Sequence, residues 1–98
     1  MYATVNKFKV KSGREDDAKA IALGVLEYLK GFKGFISAVI YHDEETNEWS
    51  RTIIWETKEA WDVFHNSISP KRREKGMDVV DGTIEMKRYD VVGYVAVD

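Results

Sequence analysis

Positions 2 to 11 alternate. Tyr2, Thr4, Asn6, Phe8 and Val10 fall on one side, Lys7, Lys9 and Lys11 on the other. A period of two with lysines on the wet side predicts a strand with one face on a core. The lysines read as those of an edge strand, where they discourage sheet-to-sheet pairing. Ser12-Gly13-Arg14-Glu15 has the spacing of a capping box, and Asp16 and Asp17 add charge favoured in a first helical turn. Ala18, Ile21, Ala22, Val25 and Leu29 follow at helical spacing, with Gly31 as a stop. Phe35 to Tyr41 is apolar on both faces, the pattern of a strand covered on both sides. His42 to Asn47 is polar and turn-like, and Glu48 to Glu56 returns as a strand, completing a hairpin.

Thr57 stands where it can cap a second helix, whose apolar stripe is Ala60, Trp61, Phe64 and Ile68. Pro70 stops or bends that helix, and Lys71 to Lys75 reads as a charged short helix or loop ending at Gly76. From Thr83 onward the pattern predicts a last, long strand finishing with Val91 to Val97. The order β-α-β-β-α-β is the ferredoxin-like α+β arrangement, one antiparallel sheet with both helices on a single face. Two helices cannot cover both sides of such a sheet, yet strands two and four carry apolar residues on both. A naked face would exceed the ~300–600 Å² of apolar patch found on ordinary monomers. The expected solution is a homodimer that pairs through the sheet face, with the apolar segment after Asp90 reaching onto the partner.

Composition narrows the chemistry. Ninety-eight residues, 44% hydrophobic and 33% charged, suit one globular domain over residues 1–98 and exclude two. Fifteen basic against seventeen acidic residues give a net charge of −2, without the basic footprint of a nucleic-acid binder or a pull toward anionic membranes. The absence of cysteine removes disulfides, thiolate catalysis and cysteine-held metals, and two histidines are too few for an all-histidine metal cage. No apolar run approaches the ~20 residues of a membrane helix, and no secretory signal is visible at the start, so a cytoplasmic location is expected.

Ile53-Ile54-Trp55-Glu56-Thr57-Lys58-Glu59-Ala60-Trp61 resembles the hallmark segment of the antibiotic biosynthesis monooxygenase family, in which a strand ends in Trp-Glu-Ser or Trp-Glu-Thr and a helix opens with Glu-Ala-aromatic. Val10 to Glu15 resembles that family's entry to its first helix. Lys33-Gly34-Phe35-Ile36 resembles its Pro-Gly-Phe start of strand two, with lysine in place of proline. The resemblance implies a dimeric α/β barrel with a pocket between sheet and helices. It also implies cofactor-free oxygenation of a quinol-like or polyketide aromatic or, in one branch, haem degradation. The haem-degrading branch is similar at strand one and at Tyr89 to Tyr94, and there an Asn works with a helix-two Trp and a later axial His. Aligned without gaps, those last two positions fall on Phe64 and Glu74 here, and no histidine follows His65.

The candidate site residues follow. Asn6 is a mid-strand amide on the face of Phe8 and Val10, placed either for a backbone or water partner or for a substrate oxygen. His65 has the ordinary imidazole pKa of ~6.5 that suits a general base. Trp61 and Phe64, with Phe8, would line an aromatic pocket that holds a phenol flat and excludes water. Trp55 reads as packing at a strand-to-helix corner. Arg72, in the basic run Lys71 to Arg73, is either solvated or an anion clamp at the pocket mouth. Three functions are therefore expected: a metal-free monooxygenase acting on an aromatic or quinol-like molecule, a haem-binding or haem-degrading enzyme, or a non-catalytic small-ligand-binding dimer.

Overall fold

The structure, a computed structural model, describes residues 1–97; Asp98, the last residue of the expected domain, lies outside them. In chain order the elements are β1 (Tyr2–Val10), α1 (Glu15–Leu29), β2 (Phe35–Asp43), β3 (Glu48–Trp55), α2 (Lys58–Ser67), α3 (Pro70–Asp78) and β4 (Val80–Asp90). The strands form one antiparallel sheet in the order β2-β3-β1-β4, which is the ferredoxin-like topology with a short extra helix, α3, before the last strand. Among the described residues no helix is long and apolar enough to cross a membrane.

Register fixes which residues share a face. Tyr2, Thr4, Asn6 and Phe8 of β1 lie opposite Trp55, Ile53, Arg51 and Trp49 of β3. These face the helices. Ile53, Trp55, Leu29, Trp61 and Phe64 form one buried cluster; Val10, Ala18, Trp49 and Val79 form a second. The opposite face of the sheet carries Ala3, Val5, Lys7 and Lys9, with Val39, Tyr41 and Tyr89 exposed around them.

Local chemistry sets the element ends. Thr57 caps α2, its Oγ1 accepting from the Ala60 N–H at 3.1 Å, and Ser69 caps α3 by accepting from the Arg72 N–H at 3.1 Å, with Pro70 at the first helical position. The β2–β3 hairpin closes on Asp43, whose Oδ1 accepts from the Glu45 N–H at 2.9 Å while Asn47 takes the left-handed conformation at φ 59°. The Glu45 and Thr46 N–H groups, both donating to Oδ1, hold the Asp43 carboxyl below its ordinary pKa.

Four expectations need correction. The Ser12–Glu15 capping box does not form. Gly13, at φ +83°, turns the chain so that the Arg14 N–H bonds to the Lys11 carbonyl, and α1 begins at Glu15 with no side-chain cap. Arg14 instead pairs with Asp17 at 2.7 Å and reaches Asp78 of α3 at 3.1 Å. Strand β1 is an inner strand, so Lys7 and Lys9 line the open sheet face rather than an edge. Helix α3 runs through Gly76 to Asp78. The last strand starts at Val80 and stops at Asp90, because Asp90 pairs with Tyr2 and the ladder then runs out of β1 backbone. One more bond, Val91 N–H to the Met1 carbonyl at 3.0 Å, ends the pairing, and Val92 and Val95 stand 100% and 86% exposed.

Candidate functional site

Two groups of chemically capable side chains stand on the helix side of β1. The first gathers at its Tyr2 end. The Thr57 cap fixes the start of α2, and the spacing of four puts Trp61 and His65 on one helix face. Their rings stack at 4.8 Å with an interplanar angle of 22°. Tyr2 meets the same indole at 5.8 Å, and the Arg88 guanidinium lies 5.3 Å over it. Arg88 arrives there because β4 pairs it with Thr4, next to Tyr2 on the same face. His65 is held below the ordinary imidazole pKa by desolvation first and then by Arg73, with Asp62 pulling the other way and Arg88 adding the smallest push downward. Arg73 is fixed in place by donating from Nη2 to the His65 carbonyl at 2.8 Å. His65 is thus a neutral imidazole at neutral pH, able to accept a proton.

The second group is the pair Asn6 and Arg51, directly opposite each other on β1 and β3. The Oδ1 of Asn6 and the Nε of Arg51 are both buried without a hydrogen-bond partner among the described residues. On the other side of Asn6 lies Met86, which with Ile84 is 43% and 39% exposed, so the helix layer leaves the β1–β4 half of this face partly uncovered.

The remaining candidates are held in packing. Phe8 stacks on Trp49 at 6.5 Å and 18°. Phe64 is buried against Trp55 at 5.3 Å, Phe32 at 5.4 Å and Tyr28 at 6.0 Å. Arg72 lies 3.9 Å over the Tyr28 ring, whose hydroxyl bonds to Ser67 Oγ at 2.8 Å, so it clasps α3 to α1. The structure therefore brings Trp61 and His65 together and sets Asn6 and Phe8 further along the same face. Sequence reasoning missed Arg51 and Arg88. The available signal was phase: Arg51 falls in step with Trp49, Ile53 and Trp55, at an inward position where a charge is unusual.

Haem, the group that one branch of the family would hold, does not fit this donor set. The one imidazole beside Trp61 is His65, and its ring is taken up by stacking on that indole at 4.8 Å. Phe64, at the position expected to face a macrocycle, is occupied by the core. Among the described residues no cluster of three or more His, Cys, Asp or Glu side chains is placed to hold a metal ion.

One four-stranded antiparallel sheet in this strand order, with helices joining its strands, defines an α+β protein of the ferredoxin-like kind. The chain matches the antibiotic biosynthesis monooxygenase family over residues 1–74, and it belongs to that family. Among solved structures it is similar to Rv0793 from Mycobacterium tuberculosis, at 12% identity and a TM-score of 0.84, covering 97% of this chain and 98% of that one. It is also similar to a variant of SnoaB, a cofactor-independent oxygenase from Streptomyces nogalater, at 12% identity, TM-score 0.81, covering 96% and 95%. A conserved protein from Methanosarcina mazei Go1 shares 17% identity at a TM-score of 0.77, covering 90% and 89%. At such identities the likeness is one of fold. No curated protein matches the chain in sequence.

Proposed function

We propose that this protein is a homodimeric, cofactor-independent monooxygenase that oxidises an electron-rich aromatic, a phenol or quinol, on the helix side of its sheet over β1 and β4. The observation that carries the reading is the neutral His65 stacked on Trp61 beside two guanidinium groups. Without a metal or flavin, the substrate must itself supply electrons to dioxygen, which it does far better as an anion. His65 takes the phenolic proton, and Arg73 and Arg88 keep the imidazole free to do so. Trp61 and Tyr2 offer an aromatic platform, Phe8 an apolar wall, and Asn6 an amide for a substrate oxygen. Phe64 and Arg72 serve by holding α2 and α3 in position. A cofactor-independent oxygenase among the structural neighbours supports the same chemistry.

The homodimer rests on the sheet's far side. Exposed Val39, Tyr41 and Tyr89, with the exposed apolar side chains after Asp90, suit a second copy packed face to face. Oxygen consumption with a panel of hydroquinones and phenols tests the function. The expected result is uptake above the autoxidation rate, reduced at least tenfold in His65→Gln; no uptake with any member overturns it. A haemin titration runs alongside: a Soret shift lost in His65→Ala would replace this reading with the haem one.

A further inference from the structure

The helix-side face of the sheet is apolar at both ends and polar in the middle. The cluster around Trp55, Trp61 and Phe64 fills one end, and that around Val10, Trp49 and Val79 fills the other. Between them a single row crosses all four strands, Ile40 on β2, Arg51 on β3, Asn6 on β1 and Met86 on β4. The row is where the buried, unpartnered Arg51 Nε and Asn6 Oδ1 lie, and the indole N–H of Trp49, two residues before Arg51 on the same face, is also buried and unpaired. Every ion pair among the described residues lies elsewhere, so no carboxylate among them neutralises Arg51. Desolvation lowers the Arg51 pKa, but a guanidinium remains charged at any working pH.

A half-buried guanidinium whose Nε has neither a hydrogen-bond partner nor a carboxylate is a costly thing to keep in a fold. Filling the row with an aliphatic side chain would satisfy packing at lower cost, so the cation points to something that arrives from outside. Its surroundings say what kind of molecule. Phe8 and Trp49 present stacked aromatic rings on one side, and Ile40 and Met86 flank the row with apolar surface. The half-exposed Met86 and Ile84 leave an approach from the β4 side.

We propose that Arg51 and Asn6 form an oxyanion-binding site for the aromatic substrate, which is an acidic phenol or enol held as its anion. The proposal rests on the oxygenase reading and names its substrate class. Asn6 donates to the substrate oxygen through Nδ2, and the Arg51 guanidinium supplies the opposite charge. Binding the anion in preference to the neutral phenol acidifies it, complementing proton removal by His65. A phenol lacking any route to an anion, such as its methyl ether, is excluded because it would leave the Arg51 Nε unpaired.

The test uses 4-nitrophenol, whose anion absorbs visible light, held below its solution pKa and titrated with the intact protein. The expected result is growth of the phenolate band with saturation by the wild type, none with Arg51→Met, and about tenfold weaker binding with Asn6→Leu. 4-Nitroanisole should not compete. Arg51→Met removes a half-buried guanidinium whose Nε is unpaired, so its Tm should equal or exceed the wild-type value; Arg51→Gln, expected to lose the band as well, is the second variant. No band with the wild type, or an equal band with Arg51→Met, overturns the proposal. Oxygen uptake separates this failure from that of the oxygenase reading. Phenolate binding without turnover of any hydroquinone leaves the anion site standing, and equal turnover by wild type and Arg51→Met removes the site while the oxygenase stands.

Discussion

Gly34 and Ala60 meet so closely that a Cβ on the glycine would lie 2.7 Å from the Ala60 Cβ. The approach ties the start of β2 to the first turn of α2, and the Glu56 N–H completes it by donating to the Gly34 carbonyl at 2.8 Å. Gly34 also sits at φ +86°, where a side chain is strained whatever the space. Gly34→Ala should therefore cost roughly 1–3 kcal/mol in urea unfolding. Gly24→Ala is the control: it lies inside α1 with open space around its Cβ position, and should gain about 0.5–1 kcal/mol.

The two helix starts predict opposite mutational outcomes. Thr57→Ala removes the side-chain acceptor of α2 and should cost about 1 kcal/mol. Ser12→Ala should change stability by less than about 0.5 kcal/mol, because Ser12 caps nothing in the folded chain. Denaturation midpoints of the two variants measured together check both.

His65 gives the stability a pH dependence of known sign. Its folded pKa is depressed, so between that value and the ordinary ~6.5 the unfolded chain binds more protons. Its contribution is fully present above ~6.5 and is lost as pH falls through the window below it. The groups facing the ring are Asp62 on its own helix, Arg73 on α3 and Arg88 on β4, and the cations win. Thermal midpoints from pH 5 to 8 should rise with pH in the wild type and rise less in His65→Gln. Activity should follow the same acid limb, since a protonated imidazole cannot accept the substrate proton.

The open sheet face predicts an assembly. Val39→Lys or Tyr41→Lys places a charge amid exposed apolar side chains without touching the helix-side core. Sedimentation equilibrium should give a two-copy species for the wild type and a single-copy species for either variant.

Much of the fold could be read from periodicity alone. The change from period two at Tyr2–Val10 to helical spacing at Ala18–Leu29, and back at Phe35, marks three elements, and Thr57 marks a fourth. What failed was information held outside the local pattern. Ser12 and Glu15 have the right spacing for a cap, but the turn at Gly13 makes Glu15 the first helical residue and leaves Ser12 outside the cap position. Val91 to Val97 look like strand, yet a strand needs a neighbour and β1 begins only at Tyr2. Lys7 and Lys9 look the same on an edge or on an open face, and only topology distinguishes the two. In the site, Trp61 and His65 were legible because they share one helix face. Arg51 and Arg88 were not, because a charged residue in a strand reads as solvent-facing until register shows where it points.

Strand β4 is fastened almost wholly by its backbone ladder to β1, and Val80 is its single buried residue. A strand so held can breathe while the two apolar clusters stay intact. Its amides should exchange with deuterium well before those of β3, whose Trp49, Ile53 and Trp55 are locked on both flanks. Since β4 borders the uncovered stretch beside Asn6, the same fluctuation would widen and narrow the approach to the proposed anion site.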